Sequence, residues 1–113
     1  MVKLQEMKGM ASGGRVPLDR LPTEFVGTLV SEDIREDRQG RQCIYWNIEL
    51  AEPIDDATTL TQKFSPMHID ELVKALSALG IEDTSELKGK RIRFRQRLFR
   101  IGNPRWMPIE ILG

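Results

Sequence analysis

Arg91, Arg93, Arg95 and Arg97 recur at every second position of the chain. On an extended strand, alternate residues share a face about 6.5–7 Å apart, so the four would form a ladder of guanidinium groups. That rise is near the spacing of phosphates along an extended single strand, and each guanidinium offers a fork of donors matched to phosphate oxygens. The chemistry open to such a ladder is anion capture. The plainer role is a solvated strand face, or one neutralised by Asp33, Glu36 and Glu49 on neighbouring strands. The surrounding charge is one-sided: from Lys88 to Arg105 there are eight basic residues and no acidic ones, Lys88, Lys90, Arg100 and Arg105 joining the ladder. From Asp19 to Asp56 there are ten acidic and four basic residues. The 113-residue chain is neutral as a whole, with 17 Lys+Arg and 17 Asp+Glu, yet strongly polarised along its length.

Bond-making chemistry has little to work with. His68 falls in a first helical turn with no Ser or Cys nucleophile patterned around it, and reads as an exposed helix-start residue. The lone Cys43 reads as a small buried apolar residue, and Asp55-Asp56 and Glu82-Asp83 as solvated loop acids. No Gly-rich phosphate loop, metal-ligand spacing or nucleophile elbow is present in the sequence. The expectation is a protein that is not an enzyme and takes no metal or cofactor.

The elements that position these residues follow from the apolar period. Residues 1–20 have neither helical nor strand periodicity and are expected to form a flexible N-terminal arm, leaving 21–113 as the domain. A first strand begins near Glu24, and a turn at Gly40 leads into a second, Cys43–Leu50. There Ile44, Trp46, Ile48 and Leu50 share one face, and Tyr45, Asn47 and Glu49 the other, as in a half-buried antiparallel strand. A third strand spans Thr58–Phe64. The period then changes: Ile69, Leu72, Val73, Leu76 and Leu79 mark a helix with Ser65 as N-cap, Pro66 at its first position and Gly80 past its end. Lys90–Arg100 makes a fourth strand with Ile92, Phe94 and Leu98 inward. After a Gly-Asn-Pro turn, Trp106–Leu112 makes a fifth, with Met107, Ile109 and Ile111 inward and Trp106 outward. Phe99 lies on the Arg face if alternation holds and inward if the strand bulges near Gln96.

The predicted class is therefore mainly β with one helix, in the order β-β-β-α-β-β, which is the element order of a five-stranded, partly open Greek-key barrel. On the segments Phe25-Val-Gly-Thr-Leu-Val30, Tyr45-Trp-Asn-Ile-Glu-Leu50 and Leu79-Gly-Ile … Glu86-Leu-Lys-Gly-Lys-Arg-Ile92, the chain resembles the OB-fold single-stranded-DNA-binding proteins of phage and bacterial type. The resemblance implies a ligand lying across strands two and three, between the first hairpin loop and the loop joining strands four and five. Those loops hold Arg38 and Arg41, and Arg100 and Arg105.

The expected function is binding of single-stranded nucleic acid with little sequence preference, DNA ahead of RNA. Arg91, Arg93, Arg95, Arg97, Arg38, Arg41, Arg100 and Arg105 would neutralise phosphates. Tyr45 and Trp106 would stack bases, and Asn47, Thr59, Thr61 and Lys63 would add polar contacts. The alternative is an interaction module whose basic face docks an acidic protein or a second copy of the chain. No apolar run approaches the ~18–20 residues that span a bilayer. The opening MVKLQEMKGMASGG lacks the apolar core of a secretory signal, so no membrane partner and a cytoplasmic location are expected.

Overall fold

The computed structural model describes residues 20–113. The flexible arm expected over residues 1–20 thus lies outside the described residues except for Arg20. Five strands and one helix follow: β1 (Glu24–Glu36), β2 (Gln42–Ile54), β3 (Ala57–Phe64), α1 (Pro66–Ala78), a 3-10 turn at Thr84–Leu87, β4 (Arg91–Arg97) and β5 (Arg105–Ile111). The strands form one sheet, antiparallel throughout, in the order β3-β2-β1-β4-β5. No helix among the described residues is long and apolar enough to cross a membrane.

One face of the sheet carries the core. Phe25, Leu29, Trp46, Ile48, Leu60, Phe64, Ile92 and Phe94 are buried there, and Leu72 and Leu76 of α1 join them as the helix packs on β5, β2 and β3. Phe25 stacks on Phe94 at 5.1 Å between ring centroids, and Trp46 meets Phe64 edge-on at 5.4 Å. β1 and β2 approach closely at Gly27, where a Cβ would lie 2.5 Å from Ile48 Cγ2, so no larger residue fits without moving the partner strand. Asp55 (φ 49°) and Asp56 (φ 66°) are the two left-handed residues of the β2–β3 turn, a conformation that Asp tolerates better than most side chains. That backbone role accounts for the adjacent acids.

The helix ends as its sequence predicts. Pro66 occupies its first turn after Ser65, and at the other end Gly80 N–H bonds Ser77 O while Ile81 N–H bonds Leu76 O, with Gly80 left-handed at φ 76°. Two of its residues depart from expectation. Val73 is exposed, and His68 is buried rather than exposed. The Ser65 N–H donates to His68 Nδ1 at 3.2 Å, and Ser65 Oγ lies 2.7 Å from the same nitrogen, so the imidazole turns back to cap its own helix.

Two β-bulges change the parity read from the sequence. In β1 the register steps between Leu29 and Ser31, leaving Val30 extra and exposed. Glu32 consequently faces the core side opposite Trp46, whose Nε1 donates to Glu32 Oε2 at 2.7 Å, and Thr84 Oγ1 donates to the other oxygen at 2.8 Å. In β5 the register steps between the pairs Arg93–Glu110 and Phe94–Pro108, so Ile109 is the extra residue. Trp106 and Pro108 therefore face inward.

The outward Trp106 expected from simple alternation is thus corrected: its side chain is fully buried, with Nε1 donating to Pro22 O at 2.8 Å. β4 ends at Arg97 instead of Arg100, which leaves Leu98 exposed in the following loop instead of inward. Phe99 is half-buried, its ring edge-to-face with His68 at 4.6 Å.

The two edge strands, β3 and β5, share no backbone ladder among the described residues, so the sheet is not closed. They are joined by a side chain. Gln62 Oε1 accepts from the Trp106 N–H at 2.8 Å and Gln62 Nε2 donates to Trp106 O at 3.0 Å, the pair of bonds a neighbouring strand would supply.

Candidate nucleic-acid interface

The arginine ladder exists as a row on the outer face of β4, but its charge is largely matched. Arg93 Nη1 lies 2.9 Å from Glu110, Arg95 Nη2 3.1 Å from Glu24, and Arg97 Nη2 2.9 Å from Glu71. The acids come from β5, β1 and α1, not from the Asp33, Glu36 and Glu49 that the sequence offered as neutralisers. Arg91 has no acidic partner among the described residues. Arg91, Arg93 and Arg95 face Thr28, Val26 and Glu24, on the half of β1 remote from its hairpin with β2.

A second group of the expected site residues converges at that hairpin. Arg38, Arg41, Tyr45 and Lys63 line one open recess of about 400 Å³, together with Glu36, Asp37 and Gln39. Asp37 organises it. Its Oδ1 accepts the backbone N–H groups of Gln39 (2.9 Å) and Arg41 (3.0 Å), which shapes the turn, and the φ of 77° at Gly40 completes the reversal. Its Oδ2 accepts from Arg41 Nη2 at 2.9 Å and from Lys63 Nζ at 3.1 Å, tying β3 to the hairpin. The Arg41 N–H, and then the Lys63 and Arg41 side chains, hold the Asp37 carboxyl well below the usual carboxylate range despite its desolvation. Cys43 is buried beneath this turn, its Sγ 3.5 Å from Arg41 O.

Next along the outer face of β2, Asn47 Nδ2 donates to Ser31 Oγ at 2.7 Å and Asn47 Oδ1 accepts from Thr61 Oγ1 at 2.8 Å. The result is a row of hydroxyl and amide groups across β1, β2 and β3. On the far side of Lys63, the half-buried Arg105 donates Nε–H to Lys63 O and Nη1 to Asn103 O (3.1 Å) and Pro104 O (3.0 Å). Arg105 therefore fixes the start of β5 and the end of the 98–104 loop against β3. Arg100 is exposed in that loop without an acidic partner among the described residues.

His68, buried close by, registers the local potential. Desolvation, then repulsion from Arg105, Arg41 and Lys63, pushes its imidazole down to about 4. A larger cleft of about 900 Å³ lies between α1 and the β4–β5 strands, floored by Ala75, Leu79, Met107 and Pro108. Of its cations, Lys74 and Arg97 share the carboxylate of Glu71 and Arg95 bonds Glu24, so it lacks the unmatched charge of the hairpin end.

Three participants escaped the sequence reading. Arg35 places its guanidinium carbon 4.1 Å from the centroid of the Tyr45 ring. It reaches the outer face only because of the Val30 bulge; unbroken alternation from Phe25 points it inward. Ser31 is brought beside Asn47 by the same bulge. Asp37 had a signal that was available, an acid three residues before a turn glycine, where Asp commonly bonds the backbone ahead of it. No protein-family model matches the chain, and no curated protein matches it either.

Proposed function

We propose that this protein binds single-stranded nucleic acid, DNA in preference to RNA and with little sequence preference, on the outer face of β1, β2 and β3. The strand would run from the hairpin at 37–41 toward the loop at 98–104. The observation that carries this reading is the convergence of Arg38, Arg41 and Lys63 with Tyr45 around one recess, with Arg35 over the Tyr45 ring and the Ser31–Asn47–Thr61 row alongside. An OB-type, partly open barrel is the architecture we infer. It is supported by the strand order β3-β2-β1-β4-β5, by a helix between β3 and β4, and by Gln62 linking the two edges.

In this mechanism Arg35, Arg38 and Arg100, which have no acidic partners among the described residues, neutralise phosphates and release counterions. Arg41 and Lys63, held by Asp37, contribute positioned donors. Asn47 and its hydroxyl neighbours offer hydrogen bonds that any base or sugar edge can use. The β4 arginines play a minor part, since a phosphate must first displace Glu110, Glu24 or Glu71, and Trp106 plays none because it is enclosed. Fluorescence anisotropy of a labelled oligo-dT strand tests the reading, with duplex DNA and single-stranded RNA alongside. Saturable binding to the single strand that weakens with salt is expected. Absence of binding at low salt would overturn it and leave the basic surface to an acidic protein or a second copy of the chain.

A further inference from the structure

We propose that Arg35 and Tyr45 together form a nucleobase platform within this interface, the base lying on the guanidinium plane and not directly on the phenol ring. The proposal rests on the single-strand reading above and adds to it a division of labour between neighbouring arginines. The guanidinium of Arg35 covers one face of Tyr45 at 4.1 Å, well inside the range of a cation–π contact. A base approaching Tyr45 from that side meets the guanidinium first. Arg35 is exposed and, unlike Arg93, Arg95 and Arg97, has no carboxylate partner among the described residues.

A guanidinium with one face on an aromatic ring presents its other face as a flat, weakly hydrated surface, and bases stack on such planes. The N–H donors lie in the plane of the group and remain free for a phosphate at its edge. The ring also holds the guanidinium in one orientation, so less side-chain freedom is lost when the base arrives. Arg38 lines the recess beside Tyr45 without an aromatic beneath it, the situation of a residue that serves charge alone. The geometry therefore assigns the base to the open face of the Arg35–Tyr45 stack and phosphates to the edge of Arg35 and to Arg38, with Arg41 and Lys63 behind them.

Comparing oligo-dT with an abasic strand of equal length isolates the base, because the two carry the same phosphates. Wild-type protein is expected to bind oligo-dT about tenfold more tightly than the abasic strand, within the range of one stacked base. Arg35→Lys keeps the charge and loses the plane. It should bring that ratio to about twofold while leaving the salt dependence unchanged, and Arg38→Lys should preserve the wild-type ratio. Arg35→Lys protein that retains the wild-type ratio, or that weakens both strands equally, overturns the platform. Wild-type protein that binds both strands equally overturns it too, with the interface intact. Wild-type protein that binds neither strand overturns the interface itself.

Discussion

Replacing Gln62 with Met removes the buried amide that bonds one edge of the sheet to the backbone of the other, without changing the side chain's length much. In the wild type the Gln62 amide is 1% exposed and exchanges two hydrogen bonds with the backbone of Trp106. The thioether supplies neither a donor for Trp106 O nor an acceptor of comparable strength for its N–H. Each buried group left without a partner costs about 1–3 kcal/mol, so the substitution should cost about 2–6 kcal/mol. Against a typical total of about 5–15 kcal/mol, that is a large share of the fold's stability. Urea denaturation followed by far-UV circular dichroism reads it directly. At a slope of about 2 kcal/mol per molar, the midpoint should fall by about 1–3 M with the slope itself unchanged. A fall of less than about 0.5 M would refute the reasoning, since it would mean that Trp106 finds other partners and that Gln62 is not what holds β3 to β5.

Four further outcomes are expected. The imidazole of the folded protein is neutral down to about pH 4, whereas an unfolded histidine titrates near 6.5. Its contribution to stability is therefore complete above pH 6.5 and lost as the pH falls from 6.5 toward 4. The protein has one histidine, so a single proton NMR resonance follows that titration, and a midpoint near 6.5 would contradict the burial of His68. Asp37, whose carboxyl is held down by its hydrogen bonds, keeps its contribution above the ordinary carboxylate value of 3.8 and loses it only at lower pH, so the hairpin amides should retain hydrogen-exchange protection at pH 4. Trp106→Ala should cost about 3–5 kcal/mol in urea denaturation, as for a core aromatic. Because both tryptophans are fully buried, adding oligo-dT to the wild type should leave the tryptophan emission maximum in place.

What the sequence made legible was the part governed by local pattern. The alternation from Cys43 to Leu50 located β2 and its two faces, and the stripe from Ile69 to Leu79, closed by Gly80, located the helix. What it hid was decided by single residues acting over a distance. One bulge at Val30 and one at Ile109 reversed the parity of everything beyond them in their strands. The first brought Ser31 and Arg35 into the interface, and the second took Trp106 out of it. No local preference marks either position as a bulge. The carboxylates that match the β4 arginines come from Glu24, Glu71 and Glu110, up to 71 residues away in the chain, and only the pairing of β4 with β1 and β5 and the packing of α1 bring them near. His68 read as exposed because nothing in its neighbourhood announces Phe99, 31 positions later, as its cover.

The central claim is that the hairpin end of the β1–β2–β3 face, and not the arginine ladder of β4, meets the nucleic acid. The most direct measurement is the dependence of oligo-dT affinity on salt for two double variants, Arg35→Ala with Arg38→Ala and Arg93→Ala with Arg95→Ala. Each phosphate contact on a single strand contributes about 0.7 to the slope of log K against log salt, so the hairpin variant should flatten it by about 1.4. The ladder variant should leave the slope close to that of the wild type, because Arg93 and Arg95 already bond Glu110 and Glu24. A flattened slope in the ladder variant, with the hairpin variant unchanged, would contradict the account.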